Sequence, residues 1–264
     1  MDMLVRLKKS CKQFIKSRNL LRELVIKGVR LKYRRSYLGI IWSLLEPILM
    51  TIVLTLVFGT LLGKKDPTFP LYILCGRLLY SFFSSSTKGA AKAVRTHAGM
   101  IRKVYVPKYM YPLSSVLSNY VIFIISLVVI VPLCIYCHVT PTWRIFLAVI
   151  PLLEVFLMSY GVGMVLATID VFFRDIEYLW DVSLMVIMYT SAIFYDANRL
   201  LNGAAGWLLR VNPVYGLIAN FRNCIYGRPM DLRLLAYGYA FSVVVLIIGH
   251  VAFYRRQDEF ILYL

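Results

Sequence analysis

The side chains that could carry out chemistry are scattered along this chain and form no catalytic group. His97, His138 and His250 lie far apart and match neither metal-ligand nor general-base spacing. Cys134 and Cys137 form a C-x-x-C pair inside an apolar run, where small packing residues are more common than a metal or redox site. We therefore predict no catalytic residue and no bound metal.

The chain also lacks a loop for binding nucleotide phosphates. Such a loop needs the spacing G-x-x-x-x-G-K-[ST], and the nearest match, GTLLGKK at 59–65, is spaced differently. Its two glycines fit helix packing better than ligand binding. If ATP drives this protein, we expect ATP and Mg²⁺ to bind a partner chain, and no cofactor to bind this one.

Two charged residues interrupt apolar stretches that are long enough to cross a membrane. Arg77 occurs in YILCGRLLYSFF and Glu154 in AVIPLLEVFLM. A rise of 1.5 Å per helical residue places Arg77 about 10 Å and Glu154 about 15 Å from the outer boundary. Because charges at such depth are costly, they are candidates for function. We predict that the two form an ion pair, or that Arg77 lines a pathway for an anionic substrate.

The composition indicates the elements that must position these residues. The 264 residues are 60% hydrophobic and 16% charged, which is more apolar than a soluble core of this size can bury. Since about 20 apolar residues cross a bilayer as a helix, the fold class is an all-α integral membrane protein. No cleavable signal peptide is expected. Six spans are predicted, at 40–61, 70–87, 111–136, 144–168, 177–195 and 232–254.

Basic residues cluster on one side of these spans. Residues 2–38 alternate Lys and Arg with apolar residues at helical spacing, which predicts an amphipathic helix in the membrane interface. More basic residues follow the second and sixth spans, so the positive-inside rule places both termini in the cytoplasm. The arginines between the fifth and sixth spans run against that rule. The net charge of +17 favours an anionic lipid surface as the partner over nucleic acid.

Four motifs in order resemble one known family. They are LKYRRSYLGIIWSLLEPILM at 31–50, FFRDIEYLWDVSLMVIMYTSAIFY at 172–195, VNPVYGLIANFRNCIYG at 211–227 and YRRQDEFILYL at 254–264. Over essentially the whole chain they are similar to the membrane-spanning permease subunit of ABC-type polysaccharide exporters, which export O-antigen, capsule or teichoic acid. The resemblance implies an interface segment over 1–38 and a single permease domain over 39–264.

The resemblance also implies partners and a direction of transport. It implies a homodimer flanked by two copies of a separate ATPase, moving lipid-linked polysaccharide out across the cell membrane. This chain would then be a transporter subunit and not an enzyme. Short re-entrant gate helices are expected over about 196–231. The alternatives are an ABC-type permease for drugs or lipids and an ion-coupled secondary transporter that uses Glu154.

Several cytoplasmic residues acquire a role from the resemblance. The loop over about 88–110 is expected to form a short helix, from about Ala90 to Met100, that docks in a groove of the ATPase. From the sequence alone, an ordinary solvated basic loop fits equally well. Arg174 and Asp175 match the family's RD pair. The predicted coupling residues are Arg95, Thr96, His97, Met100, Ile101, Arg174 and Asp175.

Other residues are assigned to the substrate. Lys32, Arg34 and Arg35 either steer a lipid-linked pyrophosphate at the inner leaflet or anchor the interface helix. Aromatic rings offer flat faces to sugars, although they are also common at membrane interfaces. Where the family has Gly, an apolar residue and Pro-Trp, this chain reads CGRLLY, with Arg77 in the apolar position. The predicted pathway residues are Arg77, Tyr80, Phe82, Tyr189, Phe194 and Tyr195.

Overall fold

The computed structural model describes residues 2–34, 36–61, 66–103, 106–197 and 206–263, with side chains from residue 17 onward except residue 61. Within these ranges all regular secondary structure is helical. Short 3₁₀ turns precede or interrupt some helices, at Gly39–Ile41, Leu127–Val129 and Trp143–Ala148. The helices are α1 (Asp2–Tyr33), α2 (Trp42–Leu61), α3 (Phe69–Thr96), α4 (Ala98–Ile101), α5 (Met110–Ser126), α6 (Ile130–Tyr136), α7 (Val149–Phe172), α8 (Ile176–Tyr189), α9 (Gly206–Val211), α10 (Pro213–Ile225), α11 (Leu232–Arg256) and α12 (Phe260–Tyr263).

Four helical stretches in the described part of the chain are long and apolar enough to cross a membrane. They correspond to the first, third, fourth and sixth predicted spans, and are Gly39–Thr60, Met110–Tyr136, Trp143–Phe172 and Leu232–Arg256. The second predicted span lies in α3, whose apolar run contains Arg77 and ends in serines. The fifth is short because α8 has 14 residues, or about 21 Å of helix.

The long helices pack around α7, which contacts α3, α5 and α11. Two glycines let α7 and α11 approach at backbone distance. A side chain at Gly161 would meet the backbone nitrogen of Leu246 at 2.7 Å, and one at Gly249 would meet the Gly161 carbonyl at 2.7 Å. Small residues at such crossings are the usual means of close helix packing in membranes. The α7–α11 pair therefore forms a fixed unit of the fold.

The start of α2 is held by a hydrogen bond from α5. Pro47 lies inside α2 and has no backbone N–H, so the Ser43 carbonyl four residues earlier loses its helical donor. The Ser126 hydroxyl donates to that carbonyl at 2.8 Å. The bond replaces the missing helical one at the Ser43 carbonyl. It fixes α2 against α5 shortly after the end of α1.

The C-terminal motif folds back onto the ends of α7 and α11. Phe260 is fully buried, with ring centroids 5.1 Å from Phe253 of α11 and 5.8 Å from Phe172 of α7. Phe260 therefore closes the base of the α7–α11 unit.

Candidate functional site

The predicted coupling helix is divided in two by the structure. α3 runs on to Thr96, and His97 separates it from the single turn α4. The Nδ1 atom of His97 lies 2.8 Å from the Ala93 carbonyl, and its ring stacks on Tyr111 at 4.9 Å. The prediction of one continuous helix from Ala90 to Met100 was therefore wrong, because the helix breaks at His97. A histidine in the sequence does not by itself indicate such a break.

The predicted coupling residues on this segment do not share one exposed face. Ile101 is buried, and Arg95 turns toward α7 and α8, whereas Thr96 is exposed and His97 and Met100 are half-buried. Past α7, Arg174 and Asp175 are both exposed. The exposed residues around α4 that the sequence reading did not single out are Gly99, Arg102 and Lys103.

A set of ion pairs, here called the charge ladder, joins the end of α3 to the start of α8. Lys88 lies 2.8 Å from Asp181, and Lys92 lies 2.5 Å from Glu177. Glu177 also pairs with Arg95, whose Nε is 3.6 Å from the fully buried Asp170 of α7. The six ladder residues are Lys88, Lys92, Arg95, Asp170, Glu177 and Asp181.

Neutral hydrogen bonds continue the charge ladder along the same two helices. Trp180 donates from Nε1 to the Thr87 hydroxyl at 2.9 Å, and Tyr80 donates to the Leu184 carbonyl at 2.8 Å. α3 and α8 are thus tied from the C-terminal part of α3 to well inside the apolar region. Because α4 directly follows α3, these bonds also connect α4 to α8.

Arg222 of α10 organises the opposite end of the molecule. Its guanidinium donates to the carbonyls of Tyr72 (2.9 and 3.1 Å), Ala192 (3.0 Å) and Ile193 (3.3 Å), and lies 3.4 Å from the Tyr72 ring centroid. The Tyr72 hydroxyl in turn donates to the Ala192 and Tyr195 carbonyls. Arg222 is therefore an internal residue that holds the segment after α8, which explains part of the unexpected positive charge there.

Asn212 positions the short helices before the last long one. Its side-chain oxygen accepts from Val214 N at 3.0 Å and so caps α10, while Pro213 occupies the first turn. Its amide nitrogen donates to the hydroxyls of Thr190 and Ser191, at 3.0 and 2.9 Å. The motif VNPVYG therefore connects the end of α8 to α9 and α10, whose 6 and 13 residues are too few to cross a membrane.

The predicted pathway aromatics differ in exposure. Tyr80, Phe82 and Phe194 are buried inside the chain, because α3 is enclosed by α5, α7 and α8 and Phe194 stacks on a phenylalanine of α2. These three do not present a ring to a channel in this conformation, which corrects that part of the prediction. Tyr189 is exposed and Tyr195 is half-buried, and the Tyr195 hydroxyl donates to the Tyr189 carbonyl at 2.6 Å.

The predicted ion pair between Arg77 and Glu154 is not formed in the structure. Glu154 faces α11, where it lies against Gly238, and its two oxygens have no hydrogen-bond partner in the described part of the chain. A side chain at Gly238 would collide with the Glu154 carboxylate. Arg77 instead faces a pocket that also contains Lys32 and Glu46. The prediction of this ion pair was wrong because counting residues along a helix gives the depth of a side chain but not the direction in which it points.

The residues predicted to meet a lipid-linked substrate lie at the end of α1. Lys32 is in its last turn and Arg34 is exposed just after it, while Arg35 lies outside the described residues. Among the described residues no group of three or more His, Cys, Asp or Glu could hold a metal ion. The site that sequence reasoning missed is the charge ladder, whose signal was the matching four-residue spacing of Lys88 and Lys92 and of Glu177 and Asp181.

Comparison with known proteins identifies the family. The model of the ABC-2 type transporter family matches residues 19–226. The chain is 29% identical to the O-antigen export system permease protein RfbA of Myxococcus xanthus, over 92% of this chain and 94% of that protein. It is 23% identical to RfbA of Klebsiella pneumoniae (89% and 90% covered) and 24% identical to the polysialic acid transport protein KpsM of Escherichia coli (89% and 92% covered).

These relatives confirm the resemblance seen in the four motifs, and the apolar helices agree with a membrane protein that crosses the bilayer several times. The match is not confined to one motif, because it runs from within α1 to the end of α10. On this evidence the chain belongs to the ABC-2 type transporter family and is similar throughout to polysaccharide export permeases.

Proposed function

We propose that this chain is the membrane-spanning subunit of an ATP-driven exporter of lipid-linked polysaccharide, of the O-antigen, capsule or teichoic-acid type. The observation that carries the proposal is the alignment with permeases named for O-antigen export and polysialic acid transport over most of both chains. The glycan moves from the cytoplasmic to the outer side of the cell membrane. The chain is not an enzyme and binds no cofactor itself, since ATP and Mg²⁺ bind the partner ATPase.

The exporter contains two copies of this chain. α2 and α8 support this part of the proposal because both leave apolar faces uncovered. In the dimer these faces meet across a pathway, and the exposed rings of Tyr178 and Tyr189 provide surfaces on which sugars slide. α3 and α8 serve as the second and fifth of six spans, and α9 and α10 as re-entrant gate helices at the outer mouth. The exposed apolar face of α8 consists of Tyr178, Leu179, Val182, Met185, Val186 and Tyr189.

Two copies of the ATPase dock on the cytoplasmic side. The exposed residues next to α4, namely Thr96, Arg102 and Lys103, form the contact surface, with Arg174 and Asp175 beside it. The charge ladder then carries the movement from α3 to α8, at the edge of the pathway. Both termini are cytoplasmic, and the basic end of α1, including Lys32, Arg34 and Arg35, lies where the lipid-linked substrate arrives.

Depletion of the chain in its native cell tests this function. We expect surface glycan to disappear and the lipid-linked precursor to accumulate on the cytoplasmic side, measured with a lectin or antibody before and after permeabilisation. The wild-type gene restores export. The double variant R102E/K103E does not, whereas R233E, which reverses an exposed arginine at the start of α11, does. Normal surface glycan in depleted cells would contradict the proposal.

A further inference from the structure

A small polar pocket lies where α1, α2, α3 and α5 meet. Its volume is about 60 Å³, and its charged lining residues are Lys32, Glu46 and Arg77. A cavity of that size holds about four water molecules at 10–15 Å³ each. A tetrahedral phosphate group occupies a comparable space. Of these three residues, only Lys32 has a part in the export function proposed above.

The charges around the pocket are unbalanced. Among the described residues of the lining, Arg77 and Lys32 are cations and Glu46 is the one carboxylate. Arg77 forms no hydrogen bond or ion pair with any described residue, although its guanidinium has five donors. Desolvation lowers the pKa of Lys32, and the Glu46 carboxylate opposes that shift. The described lining is therefore net positive and has unused donors.

Part of the neutral lining is engaged with the backbone. Ser126 donates to the Ser43 carbonyl at 2.8 Å, and the Asn119 amide donates to the Ser115 carbonyl at 3.0 Å. Arg77 and Lys32 add charged donors to the same lining. Because hydrogen bonds from charged donors to an anion are about twice as strong as those between neutral groups, the lining favours a phosphate oxygen over a glycan hydroxyl.

We propose that this pocket binds the phosphate group of a membrane lipid. Arg77 presents its planar fork to two phosphate oxygens, and Lys32 contributes the second cation. Glu46 limits the affinity because its carboxylate competes with phosphate for both cations. The phosphate belongs either to a bulk phospholipid or to a polyprenyl carrier, and for the carrier the inference rests on the proposed function.

Lipid titration followed by native mass spectrometry of the purified chain in detergent tests the proposal. The probes are phosphatidylglycerol, a polyprenyl phosphate, and diacylglycerol as the phosphate-free control. We expect both phosphate lipids to bind at least about tenfold more tightly than diacylglycerol. R77Q should lower that affinity about tenfold, which is the usual effect of losing charged hydrogen bonds. R77K, which keeps the charge but not the fork, should lie between R77Q and wild type.

Two further variants test the proposal even if R77Q folds poorly. E46Q should raise phosphate-lipid affinity severalfold, because it removes the competing carboxylate. R233Q, which neutralises an exposed arginine at the start of α11, should leave it unchanged. Unchanged or weaker binding by E46Q, or equal losses in R77Q and R233Q, would overturn the proposal.

The source of the phosphate follows from the same titration. Polyprenyl phosphate bound tenfold more tightly than phosphatidylglycerol identifies the carrier lipid, and equal or weaker binding identifies a bulk phospholipid. Because the assay contains no ATPase and measures no transport, a failed phosphate site is distinguished from a failed export function.

Discussion

Removing the Glu177 carboxylate should uncouple ATP hydrolysis from export. Glu177 pairs with Lys92 at 2.5 Å and with Arg95, and its side chain is only 20% exposed. Partly exposed ion pairs contribute about 1 kcal/mol or less each, so E177Q removes roughly 1–2 kcal/mol from the contact between α3 and α8. A coupling energy of that size corresponds to roughly a 5- to 30-fold effect. We therefore expect about tenfold less glycan exported per ATP hydrolysed.

D181N is the matched control for E177Q. Asp181 pairs with Lys88 at 2.8 Å, but the two side chains are 56% and 45% exposed. Such a pair contributes at most about 0.5 kcal/mol. D181N should therefore reduce export per ATP less than about twofold. The charge swap K92E/E177K rebuilds the first pair but leaves Arg95 opposite a like charge, so we expect only partial recovery.

The assay compares ATP hydrolysis with translocated lipid-linked glycan in proteoliposomes that contain the partner ATPase. A second assay is a double-mutant cycle on Lys92 and Glu177, measured by unfolding in detergent without the ATPase. It should give a coupling energy of about 1 kcal/mol between the two residues. Equal effects of E177Q and D181N, or a coupling energy near zero, would refute the reasoning that the charge ladder links α3 to α8.

Three further predictions concern contacts that hold the pathway elements in place. R222L leaves the carbonyls of Tyr72, Ala192 and Ile193 without their donor, so it should destabilise the purified protein by roughly 2–4 kcal/mol. R222K keeps some of these hydrogen bonds and should destabilise the protein less than R222L does. Thermal unfolding in detergent measures both effects. G238A should cost about 1–3 kcal/mol through collision with Glu154, and adding E154A should recover stability; no recovery would refute the contact. S126A should lower the free energy of unfolding by about 1 kcal/mol in the wild type. It should have little effect in a P47A background, because the introduced alanine supplies the backbone N–H that the Ser43 carbonyl lacks. Equal effects in the two backgrounds would contradict this account of α2.

The sequence predicted those features that depend on a single stretch of the chain. The apolar runs, the basic amphipathic start and the four ordered motifs predicted an all-α membrane protein of the right family, because each depends on composition along one stretch. Contacts between helices were harder to predict. Arg77 and Glu154 were paired by depth alone, but the rotation of α3 and α7 turns them to different neighbours.

The same limit explains the other corrections. Arg222 looked like a misplaced loop charge, since nothing local shows that it donates to carbonyls about 30 and 150 residues away. Arg95 looked like a docking residue because it lies in the basic stretch that resembles the family's coupling helix, yet its guanidinium pairs internally with Glu177 and Asp170. A charged side chain on a helix has several possible faces, and only the packed neighbours decide which one is free.

The most direct test of the export function is translocation in reconstituted vesicles. This chain is purified with its partner ATPase and inserted into liposomes that carry lipid-linked glycan, and glycan that becomes accessible on the far side is measured after ATP is added. We predict transport that requires both proteins and stops when the ATPase is inactivated. Transport by this chain alone under a proton gradient, or no stable association with an ATPase, would contradict the account.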